Sequence, residues 1–206
     1  MVNLFRIKPM VAAAIALAGF LGTATHVQAS LATESAQQPL AIVEFASFDC
    51  PYCQAMSAHH ADIERAAARA GIEYRYAPLP SHGRYEAAWR ERAYYASREL
   101  PDVATTVKHA FLAAGEAGVP LDDLDAVVAH LEIHAPRVHW DAFTRDFIQS
   151  NESLAALERA VRLAGRAGLR SYPAFAVIST GGVELLNLPS DVADKARAVI
   201  DYLESL

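Results

Sequence analysis

Cys50 and Cys53 are the two cysteines of this 206-residue chain, and Pro51 and Tyr52 stand between them. Two thiols three positions apart on the first turn of a helix have Cα atoms roughly 5 Å apart, inside the range that a disulfide needs. Such a pair opens and closes with little backbone movement, which is what disulfide exchange requires. At a helix N-terminus, free N–H groups and the positive end of the macrodipole favour a thiolate, so Cys50 is expected to have a depressed pKa and to be the attacking sulfur. Pro51 suits the first helical position, where its missing N–H costs nothing. Cys53, one turn further in, is then the resolving thiol that closes the disulfide and releases a partner.

Two other chemistries fit the same residues. The thiols could be inert and structural, or could form half of a zinc site. Zinc would have to take His59 and His60 as its remaining ligands. Those two are adjacent on a helix, about 100° apart, and chelate poorly alongside Cys50 and Cys53. A strand, a dithiol and a helix in succession favour redox chemistry over both.

The elements that must position the dithiol follow from periodicity. Leu40 to Phe48 is nearly continuous in apolar residues, as a central strand covered on both faces is. A helix is expected from Pro51 to about Ala70, stopped by Gly71. Ile72 to Ala77 alternates and predicts a second strand, and strand, helix, strand in this order implies a parallel crossover. From residue 83 to 168 the pattern is helical. Tyr85 to Arg98 is one candidate. Apolar stripes follow at Val103, Val107, Ala110, Phe111 and Ala114, and at Leu121, Leu124, Val128 and Leu131. Trp140, Phe143 and Phe147 mark a shorter helix, and Leu154, Leu157 and Val161 a longer one. These stripes read as core. After Pro173, Ala174 to Ile178 and Val183 to Leu186 form a hairpin around a glycine-rich turn. A last helix is expected with Ser190 as its N-cap and Val192, Ala196, Val199, Leu203 and Leu206 on its buried face.

The first 29 residues have the composition of an export signal. Arg6 and Lys8 precede a short apolar core from Met10 to Leu21, and Val27, Gln28 and Ala29 form a small-residue cleavage site. The apolar core, about 12 residues, is too short to span a bilayer. Cleavage after Ala29 is expected, leaving a short, poorly ordered stretch over 30–39. Export places the dithiol where disulfides persist, and no cysteine remains for a structural bridge. Removal of the leader takes the formal charge from −6 to −8, because it carries two basic residues and no acid. So acidic a chain is not expected to bind nucleic acid. Nothing encodes a nucleotide, flavin or haem site; no cofactor and no metal are implied.

The run Val43-Glu44-Phe45-Ala46-Ser47-Phe48-Asp49-Cys50-Pro51-Tyr52-Cys53, the helical block after the second strand, and Ser171-Tyr172-Pro173-Ala174-Phe175 together resemble the DsbA family of periplasmic thiol:disulfide oxidoreductases. The resemblance runs from about Leu40 to the C-terminus. It implies an α/β thioredoxin fold with a large helical insertion between the second strand and the cis-Pro hairpin. The thioredoxin-like part would span 40–82 and 169–206, and the inserted helical domain 83–168. By position it implies Cys50 as nucleophile, Cys53 as resolving cysteine and Pro173 as the cis proline facing them. Without the family, Pro173 is equally an ordinary strand-start proline. Glu44 matches the family's buried acid beneath the dithiol, and Arg75 its basic partner on the neighbouring strand. Passing protons to or from Cys53 is one role for that acid, and a structural ion pair is the other.

Several residues depart from the family pattern. Asp49 puts a negative charge beside the nucleophile, which disfavours a thiolate. Tyr52 replaces the histidine of the best-known members, Tyr172 is bulkier than the usual residue before the cis proline, and few residues precede the first strand to form an N-terminal edge strand. The implied function is oxidation of exported cysteine-containing proteins, with reoxidation by a DsbB-like, quinone-linked membrane protein. A monomer is expected. An isomerase or reductase of the same fold is the alternative, since the Cys-Pro-Tyr-Cys tetrad is also similar to that of DsbG and of glutaredoxins. A holdase that uses an apolar cleft is the reading from a different class.

Overall fold

Ile42, Val43 and Phe45 are fully buried on alternating faces of one strand, so that strand must be sandwiched between two layers. The computed structural model, which describes residues 39–81, 85–135 and 145–206, places it at the centre of a mixed sheet. The expected leader, the stretch before Pro39, and Trp140 and Phe143 lie outside the described residues. Strand β1 (Pro39–Ala46) pairs in parallel with β2 (Glu73–Pro78) on one side and antiparallel with β3 (Ala174–Ser179) on the other. β3 forms a hairpin with β4 (Gly182–Leu185), giving the order β2-β1-β3-β4.

The crossover between β1 and β2 is not one continuous helix. Helix α1 (Pro51–Met56) passes through a 3₁₀ turn (Ser57–His59) into α2 (His60–Arg69). Gly71, at φ +70°, then turns the chain into β2 in a conformation that side-chain-bearing residues rarely adopt. Between β2 and β3 lie a 3₁₀ turn (Tyr85–Ala87) and helices α3 (Trp89–Ser97), α4 (Pro101–Glu116), α5 (Leu124–His134), α6 (Arg145–Ile148) and α7 (Asn151–Ala167). The start of α7 is fixed by Ser150, whose hydroxyl accepts from the Ser153 N–H. Helix α8 (Val192–Glu204) closes the chain. Its N-cap is Asp191 rather than Ser190: the Asp191 carboxylate accepts from the Asp194 N–H. Leu206, expected on the buried face, is exposed, because α8 ends two residues before it. Phe147 is likewise 54% exposed, and Ile148 takes the core position of α6.

The two faces of the sheet are covered differently. Ile42 and Phe175 pack with Met56, Ile63, Val199 and Leu203, so α1, α2 and α8 cover one face. Val43, Phe45 and Ala176 share a second cluster with Tyr94, Val107, Phe111, Val127 and Leu157, so the inserted helices cover the other. The dithiol stands at the C-terminal end of β1, where the two layers meet.

Candidate active site

Cys50 is the N-cap of α1 in an extended conformation (φ −88°, ψ 115°), and its carbonyl accepts from the N–H groups of Cys53 and Gln54 at 3.0 and 3.1 Å. Pro51 occupies the first turn, as its fixed φ dictates. Both cysteines are free thiols; Cys50 is partly exposed and Cys53 is fully buried. Burial pushes the Cys53 thiol far above its ordinary value, and the neighbouring Cys50 sulfur and the charge of Glu44 act in the same direction. The Ser47 N–H, which donates to Cys53 Sγ at 3.4 Å, opposes this and is outweighed. Ser47 is itself buried and shares a short hydroxyl contact of 2.5 Å with Ser81.

A stability consequence follows from the Cys53 shift. A group that holds its proton more tightly folded than unfolded supports the fold fully below its unfolded pKa and loses that support as pH rises toward its folded value. The reduced protein is expected to lose melting temperature from about pH 8.5 upward, where an unfolded thiol ionises. In Cys53→Ala that early alkaline decline should be absent. Melting curves across pH decide it, and identical alkaline limbs in the two proteins would remove Cys53 as the cause.

Beneath the dithiol, Glu44 is fully buried and held by two donors. Tyr74 donates its hydroxyl to Oε2 at 2.6 Å, and His60 Nε2 lies 3.1 Å from Oε2 and 3.2 Å from Oε1. Arg75, expected as the basic partner, instead pairs with Glu73 at 2.5 Å near the surface. Strand parity explains the correction. Arg75 is in register with Val43, so the two point to the insertion side, whereas Glu44 shares its face with Tyr74 and Tyr76. His60, considered above as a zinc ligand, serves Glu44. One signal marked it: Cys53, Met56, His60 and Ile63 are spaced three, four and three apart, and all four are buried. The Nδ1 of His60 and the hydroxyl of Tyr76 are buried with no hydrogen-bond partner among the described residues, and their rings lie 5.5 Å apart.

Facing the dithiol, the Tyr172–Pro173 peptide bond is cis, and the Tyr172 carbonyl lies 3.8 Å from Cys50 Sγ, which donates to it. Lys195 of α8 donates to the Pro173 carbonyl at 2.8 Å and ties this loop to the last helix. Tyr172 is half-buried, and burial together with the Cys53 sulfur raises its phenol above the usual range. Tyr52 projects outward, 63% exposed, beside Cys50. The charge of Asp49 is met by Arg90 of α3 through two contacts of 2.6 and 2.7 Å. Sequence reasoning missed this pair because the partners are 41 positions apart. Arg90→Ala would leave Asp49 unopposed beside the sulfur; alkylation of Cys50 by iodoacetamide at pH 7 should slow roughly two- to fivefold. Arg90→Ala combined with Asp49→Asn should restore the rate, and a slowed double variant would mean that Arg90 acts through packing.

The geometry has counterparts among known proteins. A family model described as thioredoxin matches residues 32–180. No curated protein sequence matches the chain. Among solved structures, SrgA of Salmonella enterica serovar Typhimurium is similar at a TM-score of 0.59, with 20% identity over 84% of this chain and 95% of that one. DsbA of Xylella fastidiosa is similar at 0.57, with 23% identity over 80% and 83%. A cysteine-to-serine variant of Proteus mirabilis DsbA, bound non-covalently to a peptide, PWATCDS, is similar at 0.60, with 16% identity over 82% and 91%. A dithiol at the end of the central strand, a cis proline against it and helices inserted between β2 and β3 thus accompany a family match over most of the chain: it belongs to the thioredoxin family and has the fold of the DsbA disulfide oxidoreductases.

Proposed function

We propose that this chain is a periplasmic thiol:disulfide oxidoreductase that introduces disulfides into exported proteins. The observation that carries the reading is the asymmetry of the dithiol: Cys50 is accessible against the Tyr172 carbonyl, and Cys53 is buried above Glu44. In the oxidised protein, a client thiolate attacks Cys50, forms a mixed disulfide and displaces Cys53. A second client thiolate then attacks the client sulfur of that bond, and Cys50 leaves. Two electrons pass from client to dithiol, which a quinone-linked membrane partner takes up again. The exchange itself needs no cofactor.

The burial of Cys53 makes it a poor thiolate leaving group unless a proton meets it, and this reading gives Glu44, with its Tyr74 and His60 partners, the role of passing that proton. An extended client segment would pair with the backbone at Tyr172, whose carbonyl lies beside Cys50 Sγ, as an added strand does. The cysteine-containing peptide on Proteus mirabilis DsbA supports a client of that kind.

Equilibration with a glutathione buffer, joined to trapping on Cys53→Ser, tests the reading. An oxidising poise with many exported proteins captured on Cys50 is the expected result. A reducing poise moves the protein to the isomerase or reductase role, and binding that survives loss of both cysteines makes it a holdase.

A further inference from the structure

A groove of about 840 Å³ runs where α7 packs on the insertion side of the sheet, and neither cysteine nor Tyr172 nor Pro173 lines it. Five arginines stand around it: Arg75 on β2, Arg98 at the end of α3, and Arg159, Arg162 and Arg166 on α7. Among the described residues, no aspartate or glutamate lines it. In a chain with 18 basic residues and a net charge of −6, this is a strong segregation of charge. Glu73 neutralises Arg75 and Glu158 neutralises Arg162, both from outside the groove. Arg98, Arg159 and Arg166 make no ion pair within 4 Å among the described residues, though Arg98 lies 5.9 Å over the Tyr95 ring and feels the charge of Glu73. Like charges gathered around one concavity raise its potential and attract anions.

The floor restricts what kind of anion fits. Val43 and Ala160, both buried, and the half-buried Ile178 line it with apolar side chains. Their backbone groups are already engaged: β1 lies between β2 and β3, β3 lies between β1 and β4, and Ala160 is inside α7. These three residues offer a peptide no main-chain partners, whereas an alkyl chain needs none; of the strands that line the groove, only β2, through Arg75, Tyr76 and Ala77, is a sheet edge. The volume is that of a small-molecule site, and guanidinium groups match the oxygens of carboxylate and phosphate.

We propose that the groove binds a single-chain anionic amphiphile, with the acyl chain along the Val43–Ala160–Ile178 floor and a carboxylate or phosphate head among Arg98, Arg159 and Arg166. The site is independent of the dithiol. The test is titration of the purified protein with dodecyl phosphate below its micelle concentration, followed by calorimetry. One-to-one binding is expected. Inorganic phosphate and uncharged dodecyl maltoside should each bind at least about tenfold more weakly, as should dodecyl phosphate to the Arg159→Ala/Arg166→Ala variant, whose changes lie on the exposed side of α7. Equal affinity for the maltoside shows that the arginines are not used, and equal affinity for inorganic phosphate shows that the floor is not; either overturns the proposal, as does absence of binding. Arginine-dependent pelleting with phosphatidylglycerol vesicles, without binding of dodecyl phosphate, overturns it in favour of a membrane surface contact.

Discussion

Cys50→Ser is expected to lower the rate at which the protein oxidises a dithiol peptide by roughly a hundredfold or more, equivalent to about 2.7 kcal/mol of transition-state free energy. The reason lies in the inequality of the two sulfurs. Cys53 cannot take over, because it is fully buried and burial holds its proton. Cys53→Ser should behave differently: the remaining Cys50 reacts with a disulfide-bearing peptide and stays in a mixed disulfide, visible as a mass increase without reductant. Comparable oxidation rates in Cys50→Ser and the parent would sink the assignment of Cys50.

Gly115→Ala is the second large effect, and it lies 62 residues from the nearer cysteine in sequence. A Cβ at Gly115 would come within 2.1 Å of the Phe48 carbonyl oxygen and 2.7 Å of Gln54 Nε2. Gln54 donates to that same carbonyl at 3.1 Å, so the added carbon strikes the bond that ties α1 to the loop before Cys50. Overpacking of this kind costs about 1 to 3 kcal/mol, and here the obstacle is backbone that cannot swing aside. The midpoint of urea unfolding should fall with an unchanged slope, and exchange through Cys50 should slow with it. Gly165→Ala provides the control: it too lies in a helix, nothing stands within 4 Å of its added carbon, and it should gain up to about 1 kcal/mol. If Gly115→Ala unfolds at the same urea concentration as the parent, α4 does not brace the dithiol loop.

The dithiol, the strand before it and the helix after it were legible because their signals are local. Cys50, Pro51 and Cys53 declare a helix start by chemistry and spacing, and Ile42, Val43 and Phe45 declare a doubly covered strand by composition. The same locality failed at Ser190 and Asp191, where two adjacent residues both cap well and only the backbone of the first turn of α8 selects between them. It failed also inside the helix after Cys53, where the 3₁₀ turn at Ser57–His59 leaves no mark on the apolar spacing.

From sequence alone came the thiol chemistry, the order of elements and the resemblance that pointed to Pro173, since each is assembled from segments whose signals are local residue types and spacings. Tertiary structure alone decided that Glu44 is answered by His60 and Tyr74 instead of Arg75, that Arg90 cancels Asp49, that Gly115 leaves room for the Phe48 carbonyl and that Lys195 holds the Pro173 carbonyl. These contacts depend on strand register and on the rotation of one helix against another. A side chain one position out of register points to the opposite face of the sheet, and no local pattern in the chain records which distant residue will meet it.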